Sequence, residues 1–199
     1  YWIGRLKEAG IYVYLDLLDF RTFCDEERVP NAGELGRGAK PYAVFDNHLI
    51  ELQQQYARYL LIEHVNPYTG LSYADDPAVA MIEICDENGL YFARDRWGDL
   101  VEPYGSNLRR RFNNWLRDRY GTTENLAEAW TDFEGNQGLL NDESLEEGTV
   151  WLFPEAEFPG RFASANGEST RLQRGRAADR RLFIDEIHRE YLRRMKTYL

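Results

Sequence analysis

The apolar positions of the chain change period several times, and each change predicts an element. Residues 2–9 read as the end of a helix, and Gly10 stands where a helix C-terminal cap belongs. The run Ile11-Tyr12-Val13-Tyr14-Leu15-Asp16-Leu17 then alternates and is rich in β-prone side chains, which predicts a strand. Helix, glycine, strand is the αβ half of a βαβ unit and implies a parallel sheet. From Phe23 to Pro41 the composition turns to Gly, Pro and charge and reads as a long loop on the ligand side. Leu49, Leu52, Tyr56, Tyr59 and Leu60 recur at three- and four-residue spacing, predicting an amphipathic helix over residues 46–64 that packs on the sheet. Asn66-Pro67-Tyr68-Thr69-Gly70 is a turn, and Asp76-Pro77 introduces a second, mostly apolar strand over residues 79–84.

Beyond that strand the regularity stops. Residues 107–120 and 123–130 predict two short helices separated by Gly121, the second opening on Thr122-Thr123-Glu124 as its cap. No period is sustained from Thr131 to Gly175. A final amphipathic helix over residues 177–199 uses Phe183, Ile184, Ile187, Tyr191, Leu192 and Met195. The excursion at about residues 89–176 far exceeds an ordinary βα loop, and long excursions on the ligand side shape clefts or lids. The class is therefore α/β.

Composition narrows the function. A formal net charge of −10 on 199 residues argues against nucleic acid, which needs a clustered basic face. Arg109-Arg110-Arg111 and the later arginines are interleaved with acids or lie on helix surfaces. No apolar run reaches the roughly 20 residues that span a bilayer, so a soluble chain without a membrane partner is expected. Cys24 and Cys85 lack metal-ligand spacing, and His48, His64 and His188 share none either. No phosphate-binding glycine loop or nucleophile elbow is present, and no cofactor is implied. The 13 Tyr, 10 Phe and 5 Trp mostly fill a core, with a minority available to stack on sugar rings.

The candidate chemistry gathers where the second strand ends, in Cys85-Asp86-Glu87-Asn88. Side chains just past the carboxyl ends of parallel strands line the ligand crevice, which puts Glu87 toward substrate. Asp16, Asp19 and Arg21 fall at the matching end of the first strand. Asp19 and Arg21 are candidates to bind hydroxyl groups or to pair with each other, the ion pair being the favoured use. Trp97, ten residues past Glu87, is a candidate platform for a sugar ring, with packing in the excursion as its other reading. Trp115 and Trp130 lie on helices and read as core.

The wording from Asp75 through Val79-Ala80-Met81-Ile82-Glu83-Ile84-Cys85-Asp86-Glu87-Asn88-Gly89-Leu90 resembles the acid/base strand of the clan A (β/α)₈ glycoside hydrolases, in particular cellulase-like members. Phe112-Asn113-Asn114-Trp115-Leu116, Tyr120-Gly121 and Leu126-Ala127-Glu128-Ala129-Trp130 resemble the helical insertion of such enzymes. The resemblance implies a partial TIM barrel with parallel strands and a long helical excursion after the fourth strand. Residues 11–17 would be the third strand, residues 79–84 the fourth and residues 177–199 the helix after it. All 199 residues would then belong to one catalytic domain, completed by remaining barrel segments or another chain.

The function so implied is retaining hydrolysis of a β-linked glycan, with Glu87 as general acid/base and Asp86, Asn88, Asp19, Arg21 and Trp97 as substrate-binding candidates. The family's nucleophile, a second Glu on the seventh strand, has no position in this chain. Asp86 stands where the family carries an Asn that donates a hydrogen bond to the sugar, and an ionised Asp accepts only. That departure sustains the alternative of a non-catalytic carbohydrate-binding or interaction protein on a degenerate barrel. The identity of the glycan, endo or exo action, oligomeric state and localisation are not readable from the residues.

Overall fold

The computed structural model describes residues 1–90, 100–152 and 174–199. Its chain order is α1 (Trp2–Glu8), β1 (Val13–Asp16), α2 (Asn47–Arg58), β2 (Val79–Glu83), α3 (Tyr104–Tyr120), α4 (Thr123–Ala129) and α5 (Arg174–Tyr198). The backbone divides into two compact units, one of residues 1–89 and 189–199, the other of residues 90–188.

In the first unit, α1 ends as its glycine demands. Gly10 takes φ 73°, its N–H reaches the carbonyl of Lys7, and the N–H of Ile11 reaches that of Leu6. This is a Schellman stop, which turns the chain directly into β1. β1 and β2 pair in parallel, as the αβ pattern predicts, with Tyr14 opposite Met81, Leu15 opposite Ile82 and Asp16 opposite Glu83. Val13 lies opposite Val79, so β2 holds one supernumerary residue, Ala80. That bulge sets Glu83 opposite Asp16 where an unbroken register would have set Ile82.

The strands are less buried than an apolar run suggests. Tyr14 is 53% and Met81 61% exposed, and among the described residues the sheet has only two strands. Leu15 and Ile82, paired across the ladder, are only partly covered, and the core lies in the segments between the strands. Asp46 caps α2 by accepting the Leu49 N–H at 3.0 Å, and Leu49, Leu52, Gln53, Ala57 and Leu61 form its buried stripe. Tyr59 and Leu60, assigned to that stripe from the sequence, lie off it, because the helix widens into a π-turn over Tyr59–Glu63 and rotates the stripe onto Leu61.

Residues 23–45 are also more structured than a loop. They form four 3₁₀ turns, Asp25–Glu27, Ala32–Glu34, Arg37–Ala39 and Tyr42–Val44. Val29, Ala32, Leu35, Ala39 and Tyr42 are all buried. Their near-three-residue spacing is the 3₁₀ period, which brings residues i and i+3 into line. Tyr191 and Met195 of α5 complete this core, and the Tyr191 hydroxyl donates to Gln53 at 2.8 Å. Leu192, placed on the apolar face by the sequence, is exposed.

The second unit is helical. Gly121 ends α3 at φ 79°, and Thr122 caps α4 through the Asn125 N–H. Leu108, Phe112 and Leu116 of α3 join Leu126, Trp130, Phe183, Ile184 and Ile187 in its core. Gly175 is required by close packing, since a Cβ there would lie 2.5 Å from the Ala129 carbonyl. Asp179 collects the Tyr120 hydroxyl at 2.6 Å and the Trp130 indole N–H at 2.8 Å. Trp115, expected in the core, is only partly covered and donates its N–H to Glu186. The stretch from Gly138 to Trp151 is tied to α5 by a buried ion pair. Arg176 and Glu143, both buried, join through two contacts of 2.6 and 2.8 Å. Glu143 further accepts the backbone N–H groups of Leu140 and Trp151.

Candidate active site

The carboxyl ends of β1 and β2 open on the same end of the sheet, as parallel pairing requires. They bring Asp16, Asp19, Glu83 and Asp86 close enough for their charges to act on one another. The Asp16 carboxyl is raised above its ordinary range first by partial withdrawal from water, then by Asp19, Glu83 and Asp86, against the opposing Leu18 N–H. Tyr14 donates its hydroxyl to Glu83, and this bond, with the adjoining negative charge, pushes the phenol up to about 12.

Glu87 follows this group and is exposed to solvent. Its backbone sits at φ 41°, in the left-handed region that a residue with a Cβ enters only at a cost of about 1 kcal/mol or more. The backbone at Glu87 thus departs from the extended conformation of β2. Its neighbour Asn88 has a side-chain oxygen shut away from water, with no donor facing it among the described residues. Cys85 is half-buried; burial raises its thiol, and the neighbouring Tyr191 hydroxyl and Lys40 charge oppose that rise.

Asp19 and Arg21 do not pair. Arg21 turns away, donating to Glu27 and to the Leu52 carbonyl and lying over the rings of Phe23 and Tyr56. Asp19 instead meets Lys40 at 3.3 Å. The sequence did not single out Lys40 as a partner of Asp19: it lies 21 positions away, in a stretch whose glycines and charges read as loop. Trp97 lies outside the described residues. His48 bonds the Glu27 carbonyl at 2.7 Å. His188 accepts the Leu90 N–H at 3.0 Å, with burial lowering its basicity against the pull of Asp185.

Over residues 39–134 the chain matches the model of glycoside hydrolase family 42, described as Beta-galactosidase. The resemblance is to the clan A glycoside hydrolases. It bears out the family resemblance read from the sequence around Glu87, and the matched segment contains Lys40, Asp86, Glu87, Asn88 and Trp97 but not Asp19 or Arg21. The curated relatives agree. The chain is 36% identical over 62 residues to Beta-galactosidase LacZ of Heyndrickxia coagulans, covering 31% of this chain and 8% of that protein. It is 38% identical over 65 residues to Beta-galactosidase BgaA of Planococcus sp. (strain 'SOS Orange'), covering 32% and 8%. The matched stretch thus spans about a twelfth of the length of either glycosidase. No solved structure matches the chain.

Proposed function

We propose that the chain is part of a retaining glycoside hydrolase acting on a β-linked glycan, with Glu87 as general acid/base. β1 and β2 would be neighbouring strands of a (β/α)₈ barrel, and residues 1–199 part of one catalytic domain. The observation that carries the reading is the position of Glu87: it lies four residues beyond the carboxyl end of one of two parallel strands, inside the segment that matches the glycosidase family. Its left-handed backbone supports the same reading, because such conformations concentrate where a side chain must be aimed.

Retaining hydrolysis uses one carboxylic acid to protonate the leaving oxygen and a second carboxylate, about 5–5.5 Å away, to attack the sugar carbon. Glu87 supplies the first in this scheme. Asp86, Asn88, Asp19 and Trp97 are the proposed substrate contacts; Arg21, engaged with Glu27 and Leu52, serves the loop that carries Asp19. The relatives' names make a β-galactoside the first substrate to try.

The deciding experiment replaces Glu87 by Gln in the intact protein and follows hydrolysis of 4-nitrophenyl β-D-galactopyranoside. Loss of a general acid should lower kcat by about 10²- to 10⁴-fold while the galactoside still binds. A variant as active as its parent would sink the proposal.

One observation favours a second reading. Asp86 adds a negative charge beside Asp16 and Glu83, and an ionised carboxylate cannot donate to the sugar. A carbohydrate-binding protein without turnover tolerates that. It would show in the same assay as galactoside binding with no hydrolysis in either protein.

A further inference from the structure

We propose that Lys40 is a substrate-positioning residue, presenting its ammonium together with the Asp19 carboxylate to two adjacent hydroxyl groups of a glycan. The proposal rests on the glycosidase reading above.

The geometry supplies both halves of such a contact. Lys40 Nζ stands 3.3 Å from Asp19 Oδ1, and each side chain keeps 21% of its surface exposed. The contact is long for a direct charged hydrogen bond, which normally closes to about 2.7–2.9 Å. An ammonium carries three protons and no acceptor, and a carboxylate only accepts. Side by side and partly exposed, they offer one donor and one acceptor to a diol, whose two hydroxyls can receive from Lys40 and give to Asp19. The contact is long and partly open to solvent, so the ion pair is not closed on itself.

It is nevertheless held in place by the backbone. Gly38 adopts φ 68°, and a Cβ on it would lie 2.8 Å from the Asp19 carbonyl and 3.3 Å from the Lys40 side chain. The turn that carries Lys40 is therefore pressed against the segment just past β1, and only glycine permits the approach. Such seating fixes the ammonium beforehand instead of leaving it to a flexible stem. Beside it is the exposed ring of Phe20, 5.5 Å from Lys40 Nζ and covered at 3.9 Å by the Arg37 guanidinium. Lys40 also acts on the Cys85 thiol, two positions before Glu87, so its charge belongs to the same end of the sheet.

The test uses calorimetric binding of 4-nitrophenyl β-D-galactopyranoside and its 2-, 3-, 4- and 6-deoxy analogues to the intact Glu87→Gln protein, with and without Lys40→Met. Losing a charged hydrogen bond should weaken binding of the parent sugar by roughly 10- to 100-fold. One deoxy analogue should bind both proteins alike, because it lacks the hydroxyl that Lys40 meets, and Lys40→Arg should recover part of the affinity. Equal binding of every sugar by both proteins overturns the proposal, as does absence of galactoside binding in the parent. A uniform loss across the series together with a lowered Tm overturns it too, since that is the mark of a structural ion pair. Failure of Glu87 as the acid is read separately, as undiminished turnover in the Gln variant, and leaves the Lys40 binding result to be judged by itself.

Discussion

Arg176 and Glu143 show what a single buried pair has to achieve. Each ion gives up water, and the attraction between them repays that only if the remaining donors and acceptors are also used. Glu143 accepts two backbone N–H groups besides Arg176, and Arg176 donates to the carbonyls of Gly138 and Trp151 while lying 4.9 Å from the Trp130 ring. Glu143→Ala should therefore cost about 3–5 kcal/mol, because it leaves a guanidinium buried without its counter-ion. Urea denaturation would show the loss as a lowered midpoint at unchanged slope. Neither residue was legible as a core position, since charges are read as surface unless something pairs them. Glu87 was singled out from the sequence as a candidate because a carboxylate soon after an apolar strand falls on the ligand side of a parallel sheet. Lys40 was not, because its partner lies in a different segment and the contact depends on how closely Gly38 packs.

At the scale of elements, periodicity found the five α-helices and two strands of the described residues but missed what breaks a period. The 3₁₀ turns over residues 25–44 repeat at three, a spacing easily taken for irregular loop when it is interrupted by Gly36, Gly38 and Pro41. The π-turn after α2 and the bulge at Ala80 each displace a stripe by one position, and neither has a marker in composition. The start of α4 shows how an element end responds to pH. Glu146 accepts the Thr123 hydroxyl and the Thr123 N–H, and these bonds, the hydroxyl first, hold its carboxyl down to about 2. A carboxyl lowered on folding stabilises the fold at pH values above its unfolded value of about 4.3, and the contribution fades as pH falls toward 2. Thermal melts followed by circular dichroism should thus fall more steeply between pH 4.5 and 2 in the wild type than in Glu146→Gln, in which the titrating group is gone.

For the molecule as a whole, the uncovered face of the sheet matters most. Ile11, Tyr12, Tyr14 and Met81 are all exposed, and both strands present backbone edges free of sheet partners among the described residues. Open edges beside an apolar face recruit further chains unless something covers them. Residues 1–199 expressed alone should associate, with light scattering behind size exclusion giving a mass above the 23.4 kDa of one chain and rising with concentration. A monodisperse monomer over a hundredfold dilution would mean that this face needs no cover. Class and strand direction could be read from sequence, because they follow from chain order. How much of the sheet remains open could not, since an apolar strand reads the same whether one of its faces is covered or both.

The bulge in β2 also bears on how such a strand can change over evolutionary time. Ala80 is the residue left over in the ladder, so an in-frame loss of its codon would let Val79 and Met81 follow one another while Asp16 still met Glu83. Loss of the codon for Ile82 would bring Ile84 opposite Asp16 and turn Glu83 to the other face. Two deletions of equal length, two positions apart, would therefore have opposite consequences for the acid-bearing end of the sheet.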